Sequence, residues 1–181
     1  MFNYVTTSDR EREVRDYIIE MLEYENEMFE PKDISNWYVE SNKFSKIFDR
    51  FKDNAALSGS ISLYIFGLLS RKPNDVDYVV DEYTDFFKWY RYDYLESTRY
   101  PEEVSKIIAK ININEIRVDI FKIDEVRYRV INGLRVHEPL DVLKYKLKVY
   151  KSGYRDKDRD DFIEIFNKMK IIKNEGYKGI L

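Results

Sequence analysis

The sequence predicts an α+β domain: a mixed β-sheet flanked by helices, with N-terminal helices before it and a C-terminal helical pair after it. Three observations lead there. Short β-branched runs, Asp75–Val80 and Glu115–Ile123 among them, are bounded by turn residues and read as strands. Apolar stripes at helical spacing occupy both ends of the chain, Val14, Tyr17, Ile18, Met21 and Leu22 near the start and Phe162, Ile165, Phe166 and Met169 near the finish. Between them Ser58-Gly59-Ser60 separates a short apolar run from a longer one, the pattern of a tight strand-to-helix turn.

Composition narrows the function classes. A chain of 181 residues has the size of one domain and enough material for a real core. We read residues 1–53 as N-terminal helices, 54–137 as the sheet-bearing core and 138–181 as C-terminal helices of that single domain. Cysteine is absent, which removes disulfides and thiolate zinc sites, and one histidine, His137, removes His-rich metal sites. No apolar run reaches the roughly 20 residues of a membrane span, and Met1–Ser8 lacks a signal-peptide pattern, so no membrane contact and a cytoplasmic location are expected. With a net charge of −3, any contact with nucleic acid has to be local.

The elements follow in order. Ser8-Asp-Arg-Glu11 is a capping box that opens a helix, and Pro31 ends it after Met28 and Phe29. Phe44, Ile47, Phe48 and Phe51 form the buried stripe of a second helix over about 41–53. Leu57 leads into the Gly59-Ser60 turn and a helix, and Pro73-Asn74 breaks the chain before the strand Asp75-Val-Asp-Tyr-Val-Val80. Tyr83–Leu95 is dense in aromatics with Lys88 and Arg91 among them; core packing is the default, and a stacking surface for single-stranded nucleic acid is the sharper alternative. Val104–Ile113 and Glu115–Ile123 are two strands turned at Asn112–Asn114. In the second, Ile116, Val118 and Ile120 share one face and Arg117, Asp119 and Phe121 the other. Asn132-Gly133 marks a hairpin, and Glu138-Pro139 starts a helix closed by Gly153. The last helix covers about 156–172, with Asp158 and Asp161 one turn before its apolar stripe, on the inward side.

The chemistry lies in the acids. Side chains alternate along a strand, so Asp75 and Asp77 leave one face while Val76 and Tyr78 leave the other. Paired carboxylates repel unless a cation sits between them, and the hard-oxygen donor set suits Mg²⁺. Asp119 on a neighbouring strand completes a three-carboxylate set. Gly59-Ser60, at the start of a helix, offers backbone N–H groups to a phosphate. Lys146 falls at the edge of a buried stripe, where an ammonium needs an anionic partner. His137 reads as a strand-end residue rather than a catalyst.

These residues in this order resemble the nucleotidyltransferase superfamily with its polymerase-beta-like fold. Leu57-Ser-Gly59-Ser60, Asp75-Val-Asp77-Tyr78 and Val118-Asp119-Ile120 match its core motif. The tail, Pro139-Leu-Asp-Val-Leu-Lys-Tyr-Lys146-Leu and Arg155-Asp-Lys157-Asp158-Arg-Asp-Asp161-Phe, is similar to the abortive-infection-type toxin branch. The similarity covers roughly 54–170. It implies Mg²⁺, with Mn²⁺ as the alternative ion, on Asp75, Asp77 and Asp119. It implies a nucleoside triphosphate held by Gly59, Ser60, Arg71, Lys146 and Asp158, with Asp119 as base near the acceptor hydroxyl. Catalytic roles then fall to Asp75, Asp77, Asp119 and Lys146, with Arg117 as a further charge neutraliser. The acceptor expected is RNA, a tRNA 3′ end in particular, in a toxin or phage-defence setting with a cognate antitoxin-like protein as partner. Three alternatives stand beside it: transfer to a protein hydroxyl, a catalytically silent interaction module of the same fold, and an Mg²⁺-dependent nuclease using the same acids.

Overall fold

The computed structural model describes residues 12, 16, 26–33, 42–81, 106–113, 115–152 and 156–178. The capping box at Ser8, the aromatic segment 83–95 with Trp89 and Arg91, and Gly153 and Arg155 lie outside these residues. Arg12 and Asp16 are helical, and Asn26–Met28 forms a single 3₁₀ turn before Phe29, which is buried in the core.

Helix α1 (Asn42–Phe51) lies within the range expected for it. Ile47, Phe48 and Phe51 are fully buried and Phe44 packs at the margin, stacked 5.9 Å from Phe48. The stripe returns every three to four residues, so one side of the helix meets the sheet and the other carries Lys46, Asp49 and Arg50 in solvent. Truncating Phe48 or Phe51 to Ala is expected to cost about 3–5 kcal/mol.

Six strands form one mixed sheet: β1 (Ala56–Ser58), β2 (Val76–Val80), β3 (Lys106–Ile113), β4 (Ile116–Lys122), β5 (Tyr128–Ile131) and β6 (Leu134–His137). Their order across the sheet is β3-β4-β2-β1-β6-β5. β1 runs antiparallel to β2 and parallel to β6, while β2 runs parallel to β4. Two hairpins close the edges, β3/β4 at Glu115 and β5/β6 at Asn132-Gly133. Asn132 and Gly133 both hold positive φ, 49° and 77°, as a two-residue hairpin turn demands.

Alternation along these strands gives the sheet two unlike faces. Leu57, Val76, Tyr78, Val80, Val118, Ile120, Leu134 and Val136 join the main core with α1. The other face carries Ser58, Asp77, Asp119 and His137, and beyond them a smaller apolar cluster of Ala56, Val79 and Ile123, against which Phe121, Val126 and Tyr145 pack. Helix α2 (Gly59–Ile65) leaves β1 directly and buries Ile61, Leu63 and Ile65. Helix α3 (Pro139–Ser152) buries Leu140, Val142, Leu143 and Leu147, and α4 (Asp156–Lys178) buries Phe162, Ile165 and Met169. The last helix continues six residues past the predicted end at 172: Lys173-Asn-Glu-Gly-Tyr-Lys178 has no proline to stop it, and Gly176 lowers helix propensity without breaking the turn. The fold is therefore α+β, with a mixed sheet flanked by helices. Among the described residues no helix is long and apolar enough to cross a membrane.

Candidate active site

Strand register brings the distant acids together. Asp77 and Asp119 are direct partners on the adjacent parallel strands β2 and β4, and Ser58 is the partner of Asp77 on β1. Leu57 pairs with Val136, which puts His137 beside Ser58. One polar row thus crosses four strands: Asp119, Asp77, Ser58, His137. Asp75 stands just before β2 rather than within it, in the bend that enters the strand.

Gly59 is placed under this row. Its φ is +60°, and a Cβ there would stand 2.0 Å from Oδ2 of Asp77. No side chain fits that gap, so glycine alone lets the Asp77 carboxylate lie against the start of α2. Ser60, the next residue, is buried, and its hydroxyl has no hydrogen-bond partner among the described residues. The Ser58 side chain does not cap α2 but meets Nδ1 of His137 at 2.9 Å. Ser62 donates to the His137 carbonyl at 2.7 Å, so two serines clamp β6 to the β1–α2 turn.

The electrostatics are those of a crowded acid. Burial first, then the charges of Asp75 and Asp119, push the Asp77 carboxyl up to about 7, while Lys146 and Arg117 pull it back. Asp119 is buried and held by the Arg117 guanidinium through both Nε, at 2.9 Å, and Nη2. That fork-on-carboxylate contact holds the guanidinium charged above its ordinary range. His137 is fully buried; desolvation drives its pKa down to about 4, so it is neutral, and its Nε2 has no partner among the described residues. It is the last residue of β6, a strand-end residue as expected.

A second cluster ties the C-terminal helices to the α2–β2 loop. Arg71 grips Asp161 with Nε and Nη2, each at 2.7 Å, and Lys146 reaches the same carboxylate at 3.3 Å. Asp161 is almost fully buried, which pushes its carboxyl up, but the two cations outweigh burial and hold it below the usual range. Lys146 thus meets Asp161, and Asp158 lies in the first turn of α4. Lys146 is also close enough to Asp77 to lower its pKa, and so links the two clusters.

Of the sequence-expected residues, Gly59, Asp77 and Asp119 form one cluster with Asp75 and Ser60 alongside, and Arg71 and Lys146 form a second around Asp161. Asp161, Ser58 and the engagement of Arg117 with Asp119 went unforeseen. Asp161 carried a signal, an inward acid one turn from Asp158. The Ser58–His137 contact spans 79 residues and left none.

The donors fit a hard divalent cation: oxygen ligands only, an Asp77 carboxylate seated where a Cβ would otherwise stand, and acidic neighbours that raise its affinity for any positive charge. Among the described residues, however, no three His, Cys, Asp or Glu side chains already converge as a cage, and Arg117 supplies the positive charge at Asp119. No protein-family model, no curated protein and no solved structure matches the chain.

Proposed function

We propose that the protein is a metal-dependent nucleotidyltransferase that moves a nucleoside monophosphate from a nucleoside triphosphate to a hydroxyl acceptor, RNA before protein. One observation carries the reading: Asp77 and Asp119 are register partners on adjacent strands, and Gly59 leaves the space the Asp77 carboxylate fills.

In this reading Asp75 and Asp77, joined by Asp119, would hold Mg²⁺, which supplies counter-charge to the phosphates and makes the acceptor hydroxyl more acidic. The backbone N–H groups at Gly59 and Ser60, together with the Ser60 hydroxyl, bind the outer phosphates; α2 is seven residues long, so these donors matter more than its dipole. The acceptor oxygen bonds to the α-phosphorus as the α–β anhydride bond breaks. Pyrophosphate leaves with the bonding electrons, and the hydroxyl proton passes to an Asp119 oxygen. Asp161 orients Lys146 and Arg71, whose charges offset the growing negative charge on the leaving group. For Asp119 to act as base, Arg117 has to release one of its oxygens.

That last contact also favours a second reading, a silent interaction module in which Arg117 permanently neutralises Asp119. Incubation of the purified protein with each labelled triphosphate, total RNA and Mg²⁺ separates the two. Label transfer to RNA supports the enzyme; no transfer to RNA or protein, with no Mg²⁺-dependent triphosphate binding, supports the module.

A further inference from the structure

The catalytic face of the sheet continues past the acids into a pocket. Ala56 and Val79 are register partners, each two residues along its strand from Ser58 and Asp77, and they floor a cavity of about 110 Å³. Two residues of strand is about 7 Å, so the pocket begins one short step from the carboxylates, on the same face. Asn54, Asp81, Val126, Tyr128 and Arg135 wall it.

The lining has a specific chemistry. Ala56 and Val79 are small and almost fully buried, so the surface the pocket exposes is mostly polar. Tyr128 is 41% exposed, with the Arg135 guanidinium 5.0 Å from its ring centroid. The Asn54 amide, the Asp81 carboxylate and the Tyr128 hydroxyl have no hydrogen-bond or ion-pair partner among the described residues. The pocket therefore offers an aromatic wall, a guanidinium that donates, an amide that both donates and accepts, and a carboxylate that accepts. Planar heterocycles with edge amino groups match that set, since a carboxylate accepts from an exocyclic amino group and repels a carbonyl. The cavity is smaller than the roughly 150 Å³ that encloses a benzene ring and is open to solvent, so it takes the edge of a base and leaves the rest outside.

We propose that this pocket binds a nucleobase carrying an exocyclic amino group, cytosine, adenine or guanine, and presents its sugar or phosphate to the carboxylate row. The proposal rests on the nucleotidyl-transfer reading. The base has two sources, the incoming triphosphate or the acceptor RNA.

The test is calorimetric titration of the full chain, in Ca²⁺ to slow turnover, with CTP, ATP, GTP and UTP and with short cytidine, adenosine, guanosine or uridine oligoribonucleotides. In the series that fills the pocket, the forms with an exocyclic amino group bind about tenfold tighter than the uracil form. Asp81→Asn, which can donate to a carbonyl, shifts the preference toward uracil, and Tyr128→Ala weakens every member by about tenfold. Both side chains are at the surface, and unchanged melting temperatures show the variants folded. A preference among triphosphates assigns the pocket to the donor; one among oligonucleotides assigns it to the acceptor. Equal binding of all bases, untouched by either variant, overturns the pocket while Mg²⁺-dependent triphosphate binding keeps the transfer reading. Base preference in RNA with no triphosphate binding overturns the transfer reading and keeps the pocket. No binding in either series overturns both.

Discussion

Gly59 lies so close to the Asp77 carboxylate that a methyl group on it would stand 2.0 Å from Oδ2, in a backbone conformation that side chains avoid. Gly59→Ala thus carries two costs, about 1–2 kcal/mol for the left-handed conformation and a further clash with the carboxylate. Only the second depends on Asp77. In a double-mutant cycle with Asp77→Ala, we expect Gly59→Ala to cost about 1–3 kcal/mol less once the Asp77 carboxylate has been removed. Chemical denaturation of the four proteins checks it; strict additivity would mean the two residues do not touch.

If the proposed metal binds at Asp119, it competes there with Arg117. Arg117→Gln removes the guanidinium and leaves the carboxylate to whatever cation is present. We expect tighter Mg²⁺ binding, about tenfold or more, because a buried acid loses its counter-charge. In Mg²⁺-free buffer the same variant is less stable than wild type. Titration with Mg²⁺ monitored by melting temperature reads both effects. Weaker Mg²⁺ binding in the variant would make Arg117 part of the binding site instead of its competitor.

Asp161 holds two cations in a mostly buried place, and its loss strands them. Asp161→Asn should destabilise the protein by about 2–4 kcal/mol. Lys146→Met keeps most of the side-chain volume and leaves Asp161 paired with Arg71, so its stability cost is small while triphosphate binding weakens. Melting curves with nucleotide calorimetry distinguish them. A large stability loss in Lys146→Met with unchanged nucleotide affinity would make Lys146 purely structural.

Two groups in one polar row titrate in opposite senses. Asp77 is raised from 3.8 to about 7, so the folded state holds its proton more tightly; its stabilising effect is full below about pH 4 and is lost as pH rises through 7. Asp77→Asn, measured with chelator present, should match wild type near pH 4, exceed it increasingly up to about pH 7 and hold a constant margin above that. His137 is lowered from 6.5 to about 4, so its contribution is present above pH 6.5 and is lost as pH falls toward 4. His137→Asn should be less stable than wild type at pH 7.5, and the gap should narrow on acidification. Melting temperature against pH for the three proteins checks both signs.

The sequence made the strands, their facing residues and the hairpin turn legible because each is a local matter. Asp119 and Phe121 fell on one face, and Asn132-Gly133 took positive φ, as two-residue periodicity and turn chemistry require. Helix α1 was legible for the same reason, since Ile47, Phe48 and Phe51 repeat at helical spacing. What stayed hidden depends on pairings across long stretches of chain. Arg71 and Asp161 are 90 residues apart, and nothing in either neighbourhood marks Asp161 as the acid that meets Arg71 and Lys146. The contact between Gly59 and Asp77 is of this kind too: a Gly-Ser pair gives the turn but not what lies over it. The end of α4 was missed because a helix with no breaker continues until packing or solvent stops it.

Nucleotidyl transfer is tested most directly by transfer of labelled monophosphate from each triphosphate to total RNA, in Mg²⁺, by wild type and Asp77→Asn. Asparagine keeps the shape over Gly59 and removes the charge, so the variant stays folded. We predict Mg²⁺-dependent labelling by wild type that falls at least about a hundredfold in Asp77→Asn. Equal labelling by the two proteins, or labelling that persists in chelator, would contradict the assignment of Asp77 as the charge on which catalysis depends.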